Sequence, residues 1–244
     1  MRSGRWRGIK RRMTGEKIGL LGGTFNPVHS GHLQAAKQVQ EKFRLQTILF
    51  IPSYIPPHKQ TSDMASPRDR FAMVRLAVAG HPGFVASPIE IRARQKSYSI
   101  ITLNEVRRIY PGARVFFILG VDAFLEIQTW MSYREVLEKC RFIVVRRPGY
   151  RLSGAKKVVP GEFRDKIVAI RRSAEVNGQT IGAYRFFLVD IRALPVSSTE
   201  IRCRIRQGRS IKGLVPEAVE DFIRKKKLYR LQRSNDKRKS PKTL

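Results

Sequence analysis

The residues of this sequence that are best placed to do chemistry lie together near the amino terminus, in the segment GGTFNPVHSGHL at residues 22–33. Residues 17–21 before it form a short apolar run that is typical of a buried strand. The apolar residues that follow recur at helical spacing, at Leu33, Ala36, Val39 and Phe43. The pattern predicts a strand, a loop and a helix that begins near Ser30. Such a helix start presents backbone N–H groups and positive charge to an anion.

The loop itself has the composition of a phosphate site. Gly22 and Gly23 predict a tight turn that is free to take positive φ angles, so that the amides of Thr24 and Phe25 can face an anion. Gly31 predicts a place where a ligand approaches the backbone closely.

Two imidazoles stand at the entry to the predicted helix. His29 and His32 are three residues apart, so their rings can lie on one side of the helix and hold a phosphate together. A zinc site would need at least one more ligand, and neither cysteine nor the other histidines supply one at a suitable spacing. Either histidine alone would be equally typical of a helix cap or a surface. The full order of residues, after a strand and before an amphipathic helix, favours chemistry.

The rest of the chain predicts one α/β domain. Short β-rich apolar runs alternate with helical patterns, which is typical of a parallel sheet wrapped by helices. The runs are residues 47–52, 114–119, 142–145 and 185–189. Ser66 with Pro67 and Ser197 with Glu200 predict two helix starts. Ligands bind beyond the carboxyl ends of such strands, which is where Gly22 and Gly120 fall.

The 244 residues carry a formal net charge of +30. Residues 1–12 and 230–244 contribute +6 and +5, so +19 remains for the body. We expect residues 1–12 and 230–244 to be basic, disordered extensions around a catalytic domain at 13–229. The charge leaves open a weak contact with nucleic acid through the tails. Met13 is an alternative translation start.

Cysteine usage and hydropathy bear on the compartment. The two cysteines, Cys140 and Cys203, have no paired-motif spacing, which favours a reducing compartment, and we expect a cytoplasmic protein. No apolar run approaches the roughly 20 residues that span a membrane, so no membrane association is predicted. The basic residues 1–12 are not followed by an apolar segment, which disfavours a secretory signal.

The motif resembles the HxGH signature of the nucleotidyltransferase superfamily, and its GGTF form is similar to that of bacterial nicotinate-nucleotide adenylyltransferases. Further family-like segments occur in order: IPPHK at residues 55–59, SYS at 97–99, FILGVD at 117–122 with Trp130 after it, RPG at 147–149 and VSSTEIR at 196–202. The resemblance covers about residues 17–229. It implies a Rossmann-like, doubly wound parallel α/β sheet of the nucleotidyltransferase type in a single domain.

Four positions depart from the family pattern. Asn26 stands where aspartate is more common, Ser99 where threonine is, Val196 where isoleucine is, and Met131 where we expect an aromatic residue. None removes a group that the chemistry requires. Asn26 cannot act as a base, although its amide can still orient a phosphate or a backbone amide.

The resemblance implies transfer of AMP from ATP to the 5′-phosphate of nicotinate mononucleotide, which gives nicotinate adenine dinucleotide and pyrophosphate without a covalent enzyme intermediate. It assigns catalytic roles to His29, His32 and Arg202. For ATP and phosphate binding it implies Gly22, Gly23, Thr24, Phe25, His58, Lys59, Ser198 and Thr199. For nicotinate mononucleotide it implies Tyr98, Ser99, Gly120, Asp122, Trp130 and Met131. Mg²⁺ is expected with the ATP phosphates, with no metal site built by the protein.

Two other functions remain open on the sequence. The acceptor could be another molecule used in the superfamily, nicotinamide mononucleotide or phosphopantetheine. From a different class, the chain could be a basic nucleic-acid-binding module on the same fold, for which the charge of +30 is the argument. Assembly into a homo-oligomer is also open.

Overall fold

The computed structural model describes residues 15–57, 63–146 and 154–230. Its centre is a sheet of seven strands that are all parallel, in the order β3-β2-β1-β4-β5-β7-β6. The strands are β1 (Lys17–Gly23), β2 (Thr47–Pro52), β3 (Phe84–Ala86), β4 (Arg114–Gly120), β5 (Arg141–Val145), β6 (Ile167–Ile170) and β7 (Phe186–Val189).

Ten α-helices connect or flank these strands in the described residues. They are α1 (Ser30–Phe43), α2 (Pro67–Val78), α3 (Ile89–Ala93), α4 (Ser99–Ile109), α5 (Val121–Leu125), α6 (Tyr133–Lys139), α7 (Ala155–Val158), α8 (Gly178–Ala183), α9 (Ser198–Arg206) and α10 (Glu217–Lys226). Short 3₁₀ turns lie at Ile127–Thr129 and Gly161–Lys166. No helix in this described part is long and apolar enough to cross a bilayer.

The sheet is buried on both faces, because its strands are apolar at nearly every position. On one face α1, α2, α9 and α10 pack Leu33, Val74, Ile201 and Val219 into a single cluster. On the other face α4, α5 and α6 pack Leu103, Phe124 and Val136 into a second cluster. The α/β architecture with a doubly wound parallel sheet confirms the fold expected from the sequence.

The order of the strands fixes where a ligand can bind. The chain runs outward from β1 to β2 and β3 and returns to β4 on the other side of β1. It then runs outward to β5 and the edge strand β6, and β7 returns to lie between those two. Helices therefore leave β1 and β4 on opposite faces, and a crevice opens at their carboxyl ends. Gly23 and Gly120 are the last residues of these two strands, so Gly22 and Gly120 lie at carboxyl ends as predicted.

The sequence prediction differs from the structure in two respects. The strands β3 and β6 were not predicted; unlike the other short strand β7, which is buried at every position, both are only partly buried. The predicted turn at Gly22 and Gly23 is wrong, because both glycines lie inside β1 and pair with Ile51 and Pro52 of β2. Neither has a positive φ angle.

Candidate active site

The turn after β1 is made by Phe25, and Gly23 before it leaves space for the Phe25 ring. Phe25 has a φ of 49° and is 2% exposed. A Cβ added at Gly23 would lie 3.3 Å from the Phe25 ring, closer than nearly all real contacts. Gly23 is therefore required by the packing of the ring rather than by a left-handed backbone.

His29 and His32 come together as predicted. Their ring centroids are 3.7 Å apart, and His29 is 7% exposed while His32 is half-buried. The backbone N–H of His29, the residue that caps α1, donates to Nδ1 of His32 at 3.2 Å. Because Nδ1 accepts, a neutral His32 carries its proton on Nε2 and can donate it to an anion. The edge of Phe25 packs on the same ring at 5.1 Å.

Gly31, between the two histidines, leaves space for an imidazole. A Cβ at this position would lie 3.0 Å from Nδ1 and 3.1 Å from Cε1 of His29. The interpretation that Gly31 admits a ligand to the backbone is therefore wrong, since the His29 ring fills that space.

The amino end of α1 is less open than the sequence suggested. The N–H of Ser30 donates to the carbonyl of Leu214 at 2.9 Å, and its hydroxyl donates to the carbonyl of Gly213 at 3.1 Å. The segment before α10 thus occupies the first N–H of the helix, which cannot also bind a phosphate. The histidine side chains become the main donors that this helix start can offer.

Arg70 of α2 supports the loop after β1 by hydrogen bonds. It is completely buried, and its guanidinium donates to the carbonyls of Thr24 at 2.8 Å, Tyr54 at 3.0 Å and Ala65 at 3.0 Å. Burial lowers the pKa of Arg70 to about 10, so the side chain remains charged at neutral pH. One cation therefore joins three loops at the edge of the sheet.

The start of α9 approaches the same loop from another side. Ser197 caps the helix by accepting from the N–H of Glu200 at 3.1 Å, as predicted. Ser198 donates to the carbonyl of Pro27 at 2.9 Å, and Arg202 donates to the carbonyl of Asn26 at 2.9 Å. Nε of Arg202 is buried and has no partner among the described residues. Thr199 is exposed at the helix start.

The residues expected to bind the acceptor lie on the opposite face of the sheet. Tyr98 caps α4 and Ser99 is its first residue. Trp130 packs edge-on against Phe117 of β4 at 5.6 Å and remains half-buried, while Met131 beside it is 41% exposed. The tryptophan thus has both support from the core and surface available for a ring.

A buried carboxylate holds this part of the site together. Glu90 of α3 accepts from the hydroxyl of Thr102 at 2.6 Å. Burial raises the pKa of Glu90, while hydrogen bonds from Ser97 and Thr102 and the charge of Arg70 lower it in part. Ser97 also accepts from the N–H of Tyr54 at 2.8 Å. Glu90 and Arg70 therefore stabilise the start of α4 and the segment after β2 from both sides.

The remaining predicted residues fall at the crevice or outside the described chain. Gly120 ends β4 and Asp122 lies in the first turn of α5. His58 and Lys59, and the segment at residues 147–149, lie outside the described residues. Within residues 15–57, 63–146 and 154–230, no three His, Cys, Asp or Glu side chains come together as a metal site.

Known proteins resemble this chain in sequence. The profile of the cytidylyltransferase-like family matches residues 20–204. A probable nicotinate-nucleotide adenylyltransferase of Citrifermentans bemidjiense is 40% identical over 217 residues, which cover 87% of this chain and 98% of that protein. A probable nicotinate-nucleotide adenylyltransferase of Moorella thermoacetica is 39% identical over 215 residues, covering 88% and 92%. The chain belongs to the nicotinate-nucleotide adenylyltransferase family.

Solved structures agree with this family at the level of the fold. The Plasmodium falciparum nicotinic acid mononucleotide adenylyltransferase complexed with NaAD superposes with a TM-score of 0.64 at 15% identity, over 88% of this chain and 97% of that chain. The same enzyme complexed with APC gives a TM-score of 0.63.

Three residues that hold this candidate site together were missed in the sequence. Arg70 and Glu90 sit in helices rich in charged residues, where nothing in the spacing separates a buried charge from an exposed one. Tyr229 lies near the carboxyl end and donates to Oδ1 of Asn26 at 2.8 Å. Ser66 and Pro67 gave the only signal, because they place α2 and hence the turn that carries Arg70.

Proposed function

We propose that the protein joins ATP and nicotinate mononucleotide to give nicotinate adenine dinucleotide and pyrophosphate, by direct in-line attack at the crevice between β1 and β4. The observation that carries this proposal is the convergence of His29, His32 and Arg202 on one loop at the carboxyl end of β1. The family membership supports the choice of substrates.

The proposed chemistry needs charge stabilisation more than a strong base. The phosphate of the acceptor is already anionic at pH 7, so its oxygen can attack the α-phosphorus directly as pyrophosphate leaves. Nε2–H of His32 would stabilise the charge on the α-phosphoryl group, with His29 beside it. The amides of Thr24 and Phe25 would support the same group.

The amino end of α9 would bind the departing pyrophosphate. Ser198, Thr199 and Arg202 stand in its first two turns, where their hydroxyl and guanidinium groups would donate to phosphate oxygens. His58 and Lys59 would add further positive charge to the phosphates from the segment after β2. Mg²⁺ bound by ATP oxygens and water would neutralise part of the triphosphate charge.

The acceptor would occupy the other face of the crevice. Trp130 would stack on the nicotinate ring, and amides near Ser99 and Met131 would bind its carboxylate. Tyr98 would line the same pocket. Asp122, directly after β4, would accept from ribose hydroxyls, with Gly120 allowing the sugar to approach.

Pyrophosphate release with ATP and Mg²⁺ tests the reaction. Nicotinate mononucleotide, nicotinamide mononucleotide and phosphopantetheine are compared as acceptors at equal concentration. We expect strong preference for the nicotinate substrate. Turnover with another acceptor alone would refute the assignment of the Trp130 pocket, and absence of turnover with all three would refute the transferase function.

The variant His32→Ala tests the role of the imidazole pair. We expect kcat to fall by about 10² to 10³, as for the loss of one preorganised donor to a developing charge. His81→Ala is the matched control, because His81 is exposed and stacks only on Phe84 at 5.3 Å. A loss below tenfold in a folded His32→Ala protein would show that His32 does not stabilise the transition state.

A further inference from the structure

The chain returns to the phosphate loop after its last described helix. α10 ends at Lys227, which has a φ of 53°, and Tyr229 two residues later has a φ of 62°. Two non-glycine residues in the left-handed region within three positions are uncommon, and each costs free energy that other contacts must offset. The turn brings Tyr229 against the core and its hydroxyl to Oδ1 of Asn26.

Three hydrogen bonds tie the side-chain amide of Asn26 to neighbouring segments. Oδ1 accepts from the N–H of Ala65 at 3.0 Å and from the hydroxyl of Tyr229 at 2.8 Å. Nδ2 donates to the carbonyl of Asp63 at 3.2 Å. Asn26 is 7% exposed, so these bonds are made away from bulk water and losing one leaves a buried polar group unpaired.

The backbone of Asn26 connects these hydrogen bonds to the candidate site. Its carbonyl accepts from Arg202 at 2.9 Å, and this bond sets the orientation of the guanidinium whose Nε is unpartnered. Arg206, one turn further along α9, pairs with the carboxylate of Asp63 at 2.6 Å. Asn26 therefore joins the phosphate loop, the segment before α2, the helix α9 and the carboxyl-terminal turn.

We propose that Tyr229 is a positioning residue for the reaction, which acts through Asn26 to hold Arg202 in its phosphate-binding orientation. This inference rests on the proposed function. An amide suits position 26 because it accepts from Tyr229 and Ala65 and also donates to the carbonyl of Asp63, which a carboxylate could not do.

The hydroxyl of Tyr229 keeps its proton over the whole range of an assay. Burial raises its pKa above the ordinary value of a tyrosine, against the opposing effect of the nearby charges of Arg202 and Arg70. Tyr229 therefore remains a donor to Asn26 at neutral and moderately alkaline pH, and its contribution should not change between those conditions.

The variant Tyr229→Phe removes only this hydroxyl. We expect kcat/KM for ATP to fall about three- to tenfold, the range for one buried hydrogen bond, while KM for nicotinate mononucleotide stays unchanged. Tyr110→Phe is the matched control, since Tyr110 is a 5% exposed tyrosine in the other core cluster, at the end of α4.

A double-mutant cycle separates positioning from stability. If Tyr229 acts through Arg202, then Arg202→Lys should cost less in the Tyr229→Phe background than in the wild type. A Tyr229→Phe protein with a lower Tm but unchanged kinetic constants, or strictly additive effects in the cycle, would overturn the inference.

Calorimetric measurement of pyrophosphate binding tests the role of Tyr229 independently of the overall reaction. We expect Tyr229→Phe to bind pyrophosphate at least threefold more weakly than the wild type. Failure of the wild type to use nicotinate mononucleotide would refute the proposed function alone. Equal pyrophosphate affinity of the two proteins would refute the role of Tyr229 alone.

Discussion

At the scale of single residues, the site depends on close packing around the imidazole pair. The His29 ring lies 3.7 Å from the His32 ring and so close to position 31 that an added Cβ would force it to shift by a few tenths of an ångström. The glycine of the HSGH sequence is thus explained by the shape of the histidine beside it. The same holds for Gly23 and the ring of Phe25.

Gly31→Ala should therefore lower activity more than stability. The new Cβ would push the His29 ring by a few tenths of an ångström, and we expect kcat to fall about tenfold because the reaction depends on sub-ångström placement. Alanine also favours a helix over glycine, so Tm should change little. Steady-state kinetics and thermal unfolding measure both.

Gly182→Ala is the control for this change. Gly182 lies in α8, and a Cβ there meets no atom within 4 Å. We expect unchanged kcat and equal or slightly higher Tm. If Gly31→Ala retained kcat within twofold of the wild type, the packing account of this glycine would be wrong.

The types of the site residues could be predicted from sequence, and their contacts could not. His29 and His32 were placed correctly because helical spacing determines which side chains share a face. The amide of Asn26 was recognised as a departure, but its partners Ala65, Asp63 and Tyr229 are distant in sequence. No local pattern specifies such contacts.

At the scale of elements, Glu90 links α3 to α4, and its contribution to the free energy of unfolding depends on pH. Its folded pKa is raised, chiefly by burial. A carboxyl group of this kind contributes stability below its unfolded pKa and loses that contribution as the pH rises through the folded value. Ionisation of Glu90 thus lowers the free energy of unfolding at neutral pH.

Glu90→Gln should remove this pH dependence. The difference in Tm, variant minus wild type, should be more positive at pH 7 than at pH 4, because only the wild type carries a carboxyl group whose ionisation is disfavoured by burial. Thermal unfolding of both proteins across this range gives the difference directly.

Glu105→Gln supplies the opposite case. The hydrogen bond from Arg108 lowers the pKa of Glu105, so its stabilising contribution exists above the unfolded pKa and is lost as the pH falls. The difference in Tm, variant minus wild type, should therefore be more negative at pH 7 than at pH 4. A difference of the same sign for both variants would contradict the assignment for Glu90.

The most deeply buried strands followed from sequence because their apolar patterns are strong. The strands β2, β4, β5 and β7 were predicted within one residue at each end, since they are buried on both faces. The short strand β3 has one fully buried residue, Phe84, and its position depends on pairing with β2. Tertiary pairing, rather than local preference, decides such a segment.

At the scale of the whole molecule, cations gather at the amino edge of the sheet, opposite the candidate site. Lys17 and Arg114 begin neighbouring strands in direct register, and Arg141 begins the next strand along. Burial lowers the pKa of Lys17, and repulsion from Arg44 and Arg114 lowers it further. Burial, Arg114 and Arg185 have the same effect on the pKa of Arg141.

Salt should stabilise a protein with this charge distribution. Raising NaCl from about 0.05 to about 0.5 M screens the repulsion, and we expect Tm to rise by about 2–4 °C. Arg114→Gln should raise Tm at low salt and reduce its dependence on salt. Arg134→Gln is the control, because Arg134 pairs with Glu162 at 2.8 Å and its removal relieves no repulsion.

The three hydrogen bonds of Arg70 have a consequence for how the length of the segment between Tyr54 and Ala65 can change. Two of its acceptors, the carbonyls of Tyr54 and Ala65, flank residues 55–64, so one buried guanidinium fixes both ends of that segment. The entropy of closing a flexible loop grows only logarithmically, by about 0.6 kcal/mol for each doubling of its length. Insertions between Tyr54 and Ala65 would therefore cost the fold little, so the length of this segment can vary while the scaffold stays the same.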